Sequence, residues 1–437
     1  MTHSSAEVKG EEVIEQVAQT SFPKDSARVH LLSREPIPIL ALGGGLTAVG
    51  VLRCLGRRRL PIYSICPSDG FDFSHHSRWY RELPGTPKVR PADLADFLRT
   101  LSIEQAVLMP CADDWLLAVS DLPPDLSSRF PSSIPTQRAV RSLVDKWEFA
   151  KLLHSLSAPS PVTRLVQSYA ELASTLGDHF EPQILKPLSS KTFREKYGVK
   201  GYVLDNRTDA LNIASRLEFP IMLQEYIPGP PTTTYHIDGF VDRHGRVCAR
   251  FARRRLRLYP RQLGNSSMMI TVPLAEVHAA VETLERLLIA VSYRGIFDAE
   301  FKYDYRDGVF KIIEINARPW WYIAFAASCG VDVTWLAYRD ALCLPVSPLG
   351  LYEAGCRCVY LINDLQAFGD RRYEDHLKFL PWARSVLGAR HAVFAWDDPG
   401  PAIATATRAL RKGWLSCFHR QVRTEAASEV QGTFIQS

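Results

Sequence analysis

The sequence predicts an α/β protein in several parts: a doubly wound N-terminal α/β domain, a pair of α+β subdomains, and a small C-terminal extension. Three observations carry this expectation. Near the start, an apolar run at 37–42 meets Gly43-Gly44-Gly45, then helical spacing to Gly56, then a second apolar run at 62–66. Strand, glycine turn, helix and strand in that order begin a parallel sheet. From 183 to 315 short strand patterns surround one long polar loop and one helix at 274–291, an α+β pattern. Two alternating segments, 297–303 and 309–318, flank Arg306-Asp307-Gly308 and read as a hairpin.

Taken in order, residues 1–34 are a polar tail with a possible helix near 11–19, and 35–135 form the first domain. That domain includes a helix at 91–101, with Asp93 and Asp96 at its favourable end, and a strand at 106–110. The α+β pair spans 140–345 and opens on a helix at 142–156, stopped by Ala158-Pro159-Ser160-Pro161. The extension, 346–437, begins with a strand pattern at 358–362 and ends on a basic helix at 402–420.

Composition excludes several classes. The 437 residues are 46% hydrophobic and 23% charged, an ordinary globular balance that needs more than one core. A net charge of +5 does not call for a nucleic-acid partner, and no apolar run is long enough to span a bilayer. The terminal helix sets Arg408, Arg411, Lys412 and Arg420 among Leu410, Trp414, Leu415 and Phe418, but docking on the protein itself is the commoner fate of such a helix. Membrane contact is therefore not expected. Nine cysteines without a CxxC pair, and no leader, predict a reducing cytoplasm. A homodimer is the expected assembly on frequency alone.

The hairpin carries the chemistry. A three-residue loop pairs Tyr305 with Val309, and counting back sets Glu300 opposite Glu314, with Asn316 on the same face. Opposed like charges destabilise a sheet unless something neutralises them. Magnesium (or manganese) does so, taking one or two carboxylates together with nucleotide phosphates. Asn316 adds a neutral oxygen, and Arg318 a permanent charge for phosphate. A solvated charged face is the plain alternative, but Ile312, Ile313, Ile315, Pro319, Trp320 and Trp321 make the surroundings very apolar.

Glu314-Ile315-Asn316-Ala317-Arg318 resembles the Glu-x-Asn-x-Arg strand of the ATP-grasp superfamily, and Glu300 matches the carboxylate of its preceding strand. Asp145-Lys146 looks like the family's first ATP-contacting basic position, and Lys186 like its phosphate-contacting strand lysine. Gln224-Glu225-Tyr226-Ile227-Pro228-Gly229 is similar to the adenine hinge, which implicates Gln224, Glu225 and Ile227. Asp238 or His236 could fill the ribose contact. The resemblance covers roughly residues 142–321, and the first domain also looks like the family's N-terminal domain.

It implies an ATP- and magnesium-dependent ligase that activates a carboxylate as an acyl phosphate and couples it to an amine, giving an amide or peptide bond. Glu300, Glu314 and Asn316 would hold the metal, Lys146 and Lys186 the phosphates, and Arg318 the acyl phosphate. The partners implied are small-molecule carboxylate and amine substrates. Two alternatives remain: a nucleotide-binding relative without turnover, and a bicarbonate-activating, carboxylase-type relative.

Other segments are weighed in the same way. Gly43-Gly44-Gly45 departs from GxGxxG and reads as a close strand–helix turn, one that can still border an anionic substrate. Ser189 and Ser190, just past Lys186, read as donors on a phosphate lid. The run Arg253-Arg254-Arg255-Leu256-Arg257, with Arg261, is either a solvated face or a clamp on the substrate carboxylate by Arg255 or Arg257. Arg257 is taken as the catalytic member. At least one of Trp320 and Trp321 is expected in the core.

Overall fold

In a computed structural model of the chain, residues 36–66, 71–83, 88–177, 180–188, 190–260, 263–369 and 378–411 are described. The expected N-terminal tail and its helix, Arg261, and the end of the basic helix from Lys412 lie outside them.

Strands β1 (Ile39–Leu42), β2 (Ile62–Ile65) and β3 (Val107–Pro110) form a parallel sheet in the order β2-β1-β3. Every residue of β1 and β3 is buried, as their unbroken apolar runs require in a sheet covered on both faces. The glycine turn after β1 is a steric necessity. Gly43 and Gly45 have φ of +103° and +75°, and a Cβ on Gly44 would lie 2.1 Å from the Asp72 carboxylate. The helix Gly45–Gly56 buries every residue after its first and packs against the helix Ile323–Ser328.

The helix expected at 142–156 is two helices, Gln137–Val144 and Lys146–Ser155. Asp145 separates them because its backbone is extended and its carboxylate caps the second, accepting from the Trp147 and Glu148 N–H groups at 2.9 Å. Lys146 is thereby placed at the first helical residue. Strands β4 (Thr163–Val166), β5 (Gln183–Pro187), β6 (Tyr202–Leu204) and β7 (Ile221–Glu225) make an antiparallel sheet ordered β4-β7-β5-β6.

The largest sheet holds β8 (Thr234–Val241), β9 (Val247–Tyr259), β10 (Asn265–Thr271), β11 (Gly295–Asp304), β12 (Val309–Asn316), β13 (Arg357–Val359) and β14 (Arg390–His391). Its order is β12-β11-β8-β9-β10-β13-β14, so the C-terminal stretch supplies its far edge. The strand expected at 358–362 ends at Val359, and Leu361–Gly369 is helical. Arg53 of the first long helix and Asp398 form a buried ion pair at 2.9 Å that ties this stretch to the parallel-sheet region. The described residues from Ile37 onward form one compact unit.

The hairpin register is right at the carboxylates and wrong at the turn. Glu300 faces Glu314 and Asp298 faces Asn316, but beyond a bulge Phe301 faces Ile312 and Asp304 faces Val309. The loop is thus the four residues 305–308, closed by the Gly308 N–H on the Asp304 carbonyl at 2.8 Å. Ile313 is the extra residue, and its bulge restores the pairing that a three-residue loop predicts.

Candidate active site

Nine of the expected residues line one cavity of about 520 Å³: Lys146, Lys186, Gln224, Glu225, Ile227, Glu300, Glu314, Asn316 and Arg318. They come from one helix start and the strands β5, β7, β11 and β12, or just beyond their ends. A second cavity, about 380 Å³, shares Glu300, Glu314, Asn316 and Arg318 and extends beneath Gly44 and Gly45 to Trp320 and Trp321. A third, about 850 Å³, opens behind Lys146 and Lys186 over Trp147 and Phe149.

The electrostatics of the first cavity are unbalanced by construction. The Glu314 side chain is exposed to the cleft, yet the enclosing walls and the opposed Glu300 push its carboxyl up, and the two lysines only partly offset this. Burial works the same way on Glu300, but the Arg255 guanidinium opposes it and that carboxyl is held low. Lys186 donates to Gln224 Oε1 at 2.6 Å, and Gln224 Nε2 in turn donates to Thr163 at 2.9 Å. Burial and the adjacent Lys146 ammonium bring Lys186 down to about 8. Like charges facing each other in a cleft invite counter-charges: a cation for the carboxylates and an anion for the lysines.

Arg318 is held in place. Its guanidinium donates to Asp113 at 2.7 and 3.2 Å and to Asn316 Oδ1 at 3.1 Å, while Asn316 Nδ2 donates to Asp298 at 3.1 Å. The Glu225 carboxylate is committed to the hairpin, bridged by Arg306 and by Lys311, and it also accepts the Val162 N–H at 3.1 Å.

Two expectations are corrected. Asp238 is fully buried and grips Arg253 at 2.6 and 3.1 Å, which removes it from any ribose contact. Arg257 turns out of the cleft to Asp364, Ser385 and the Met268 sulfur. The β9–β10 pairing shifts register on either side of Met268, so simple alternation no longer carries Arg255 and Arg257 to one place. Arg255 is the one that lines both cavities, 2.8 Å from Ser266 Oγ and 3.5 Å from Glu300.

Ser189 and the side chain of Ser190 lie outside the described residues; the backbone of Ser190 opens the helix Ser190–Tyr197. Trp320 is buried, and both tryptophans border the second cavity.

Two residues escaped the sequence reading. Asp298 shares the alternation of Glu300 two positions on, which was signal enough. Asp113 opens the helix Asp113–Ser120 just past the carboxyl end of β3, the place where parallel sheets put ligands.

No family model matches the chain. A D-aspartate ligase of Enterococcus faecium (strain Aus0004) is 23% identical over 306 residues, covering 65% of this chain and 72% of the relative. Among solved structures, an L-amino acid ligase from Bacillus licheniformis superposes with a TM-score of 0.52 at 13% identity, over 71% of this chain and 75% of that one. A carboxyaminoimidazole ribonucleotide synthase from Aspergillus clavatus, complexed with ATP, gives 0.53 at 16% identity, over 72% and 78%. At these identities the structural likeness is one of fold.

Proposed function

We propose that this chain, an ATP-grasp enzyme of the carboxylate–amine ligase type, uses ATP to activate a small carboxylate and joins it to an amine. The observation that carries the reading is Glu300 directly opposite Glu314, in one cleft with Lys146 and Lys186. The 520 Å³ cavity would take the nucleotide, its phosphates at the two lysines and its purine at the Gln224–Ile227 hinge. Glu300, Glu314 and Asn316 fit a magnesium or manganese ion, because their own charges repel and offer only oxygen ligands. When bound, such an ion neutralises phosphate oxygens and makes the γ-phosphorus a better electrophile.

The chain's own groups supply the rest. The substrate carboxylate, held by Arg255, attacks the γ-phosphorus, and ADP leaves. The amine nitrogen then attacks the acyl carbon, and phosphate departs with the C–O electron pair. Arg318, fixed by Asp113 and Asn316, faces both cavities and stabilises the charge that develops on the acyl phosphate and its tetrahedral successor. Among the described residues no helix is long and apolar enough to cross a membrane, and the eight described cysteines are free, which supports a cytoplasmic location.

The test is ADP and phosphate release with magnesium and pooled carboxylates: amino acids including D-aspartate, and bicarbonate as a separate arm. Release requires an organic carboxylate and falls roughly 10²- to 10³-fold in Glu314→Gln. The thermal midpoint of that variant does not fall, since a like charge has been removed. ATP that fails to bind, or turnover indifferent to Glu314→Gln, sinks the reading.

A further inference from the structure

The second cavity is lined by a buried group that no described residue satisfies. His236 lies on β8 between Arg253 of β9 and Glu300 of β11, and only 7% of it is exposed. Its Nδ1 is 3.0 Å from Asp298 Oδ1. That carboxylate also accepts from Arg253 at 2.9 Å and from Asn316 at 3.1 Å. With Asp298 ionised by these partners, Nδ1 must carry the proton and donate it, which leaves Nε2 as a bare lone pair.

Nε2 is buried and has no hydrogen-bond partner among the described residues. Glu300 Oε2, at 4.0 Å, is beyond hydrogen-bond reach and is an acceptor like Nε2 itself. The neighbouring cations are engaged elsewhere: Arg253 by Asp238 and Asp298, Arg255 by Ser266 and Glu300. A buried acceptor left without a donor is destabilising, so a ligand that brings a donor to this point relieves that cost.

His236 lines the 380 Å³ cavity between the metal-facing carboxylates and Trp320. Of the groups that react in the ligase reading, the phosphates and the activated carboxyl present only acceptors here. The amine alone brings N–H donors. We propose that the 380 Å³ cavity is the amine subsite and that His236 Nε2 accepts a hydrogen bond from the attacking nitrogen, aiming its lone pair at the acyl carbon beside Arg318. This deepens the ligase reading and rests on it.

The experiment compares two acceptors for the same activated carboxylate. Hydroxylamine, small and uncharged near neutral pH, traps acyl phosphate as hydroxamate with little need for orientation; the amine of an amino acid needs aiming. In His236→Asn the ratio of amide to hydroxamate falls roughly tenfold or more, the loss expected for one hydrogen bond to a group of growing charge. An unchanged ratio, with both products falling together, assigns His236 to scaffolding and overturns the proposal.

A second measurement does not depend on turnover. In full-length protein labelled with nitrogen-15 in its histidine rings, the Nε2 resonance missing from His236→Asn is followed as methylamine or glycine is added to the magnesium complex of a non-hydrolysable ATP analogue. Its movement supports the subsite even if no carboxylate has driven ADP release, and a stationary resonance refutes it.

Discussion

Two charged clusters meet on β11, and they solve opposite problems. In the buried one, Arg253 meets Asp238 and Asp298, and Asp298 also accepts a hydrogen bond from His236 Nδ1–H, so opposite charges lie side by side. In the open one, Glu300 faces Glu314 and Lys146 presses on Lys186, so like charges lie side by side. The first cluster is complete within the chain and works as a floor. The second holds like charges face to face, and a divalent cation and a nucleotide would bring the counter-charges. Buried charge alone does not mark a site; like charges held face to face in a cavity do.

Three measurements break or sharpen this contrast. The largest effect belongs to the floor. Arg253→Met leaves two buried carboxylates without their cation and destabilises the fold by about 3–5 kcal/mol in urea unfolding. A much smaller loss would mean that the floor is not held by its ion pairs.

The next effect separates the two arginines of β9. Arg255→Ala raises KM for the carboxylate roughly tenfold to a hundredfold, as loss of a charged hydrogen bond should. Arg257→Ala leaves that KM within about threefold, and it costs stability instead, because the buried Asp364 loses its partner. Equal effects on KM would return Arg257 to the site.

The smallest effect is one of pH. The Lys186 ammonium is the form that attracts phosphate, and burial has brought it down to about 8. Below that pH the charge is present and nucleotide affinity is flat. Above it the charge must be regained on binding, and affinity falls by up to about tenfold per pH unit. Lys186→Met abolishes the slope, as titration calorimetry across pH 7 to 9.5 would record; a slope that persists in the variant belongs to another group.

The carboxylate pair was legible from local alternation, whereas Lys146, Lys186 and the 224–227 segment were reached through their resemblance to ATP-grasp positions. Lys146 follows a capping aspartate, Lys186 sits in a short strand, and Glu300 pairs with Glu314 across a hairpin. Even there the turn was misread, and a bulge at Ile313 cancelled the error. Asp113 was invisible for a different reason. It reaches Arg318 across 205 positions of sequence, and no local pattern encodes that meeting.

The sequence by itself determined the parallel-sheet opening and the carboxylate hairpin, because alternation and glycine turns act within a few residues of the chain. Only the tertiary structure decided which arginine of β9 enters the site, that Asp238 is spent on Arg253, and that His236, on a cavity wall, keeps an Nε2 without a partner among the described residues. Those outcomes depend on which distant side chain arrives first at hydrogen-bond distance, and burial makes the choice binding: once water is excluded, each polar atom is either paired by the fold or left for a ligand.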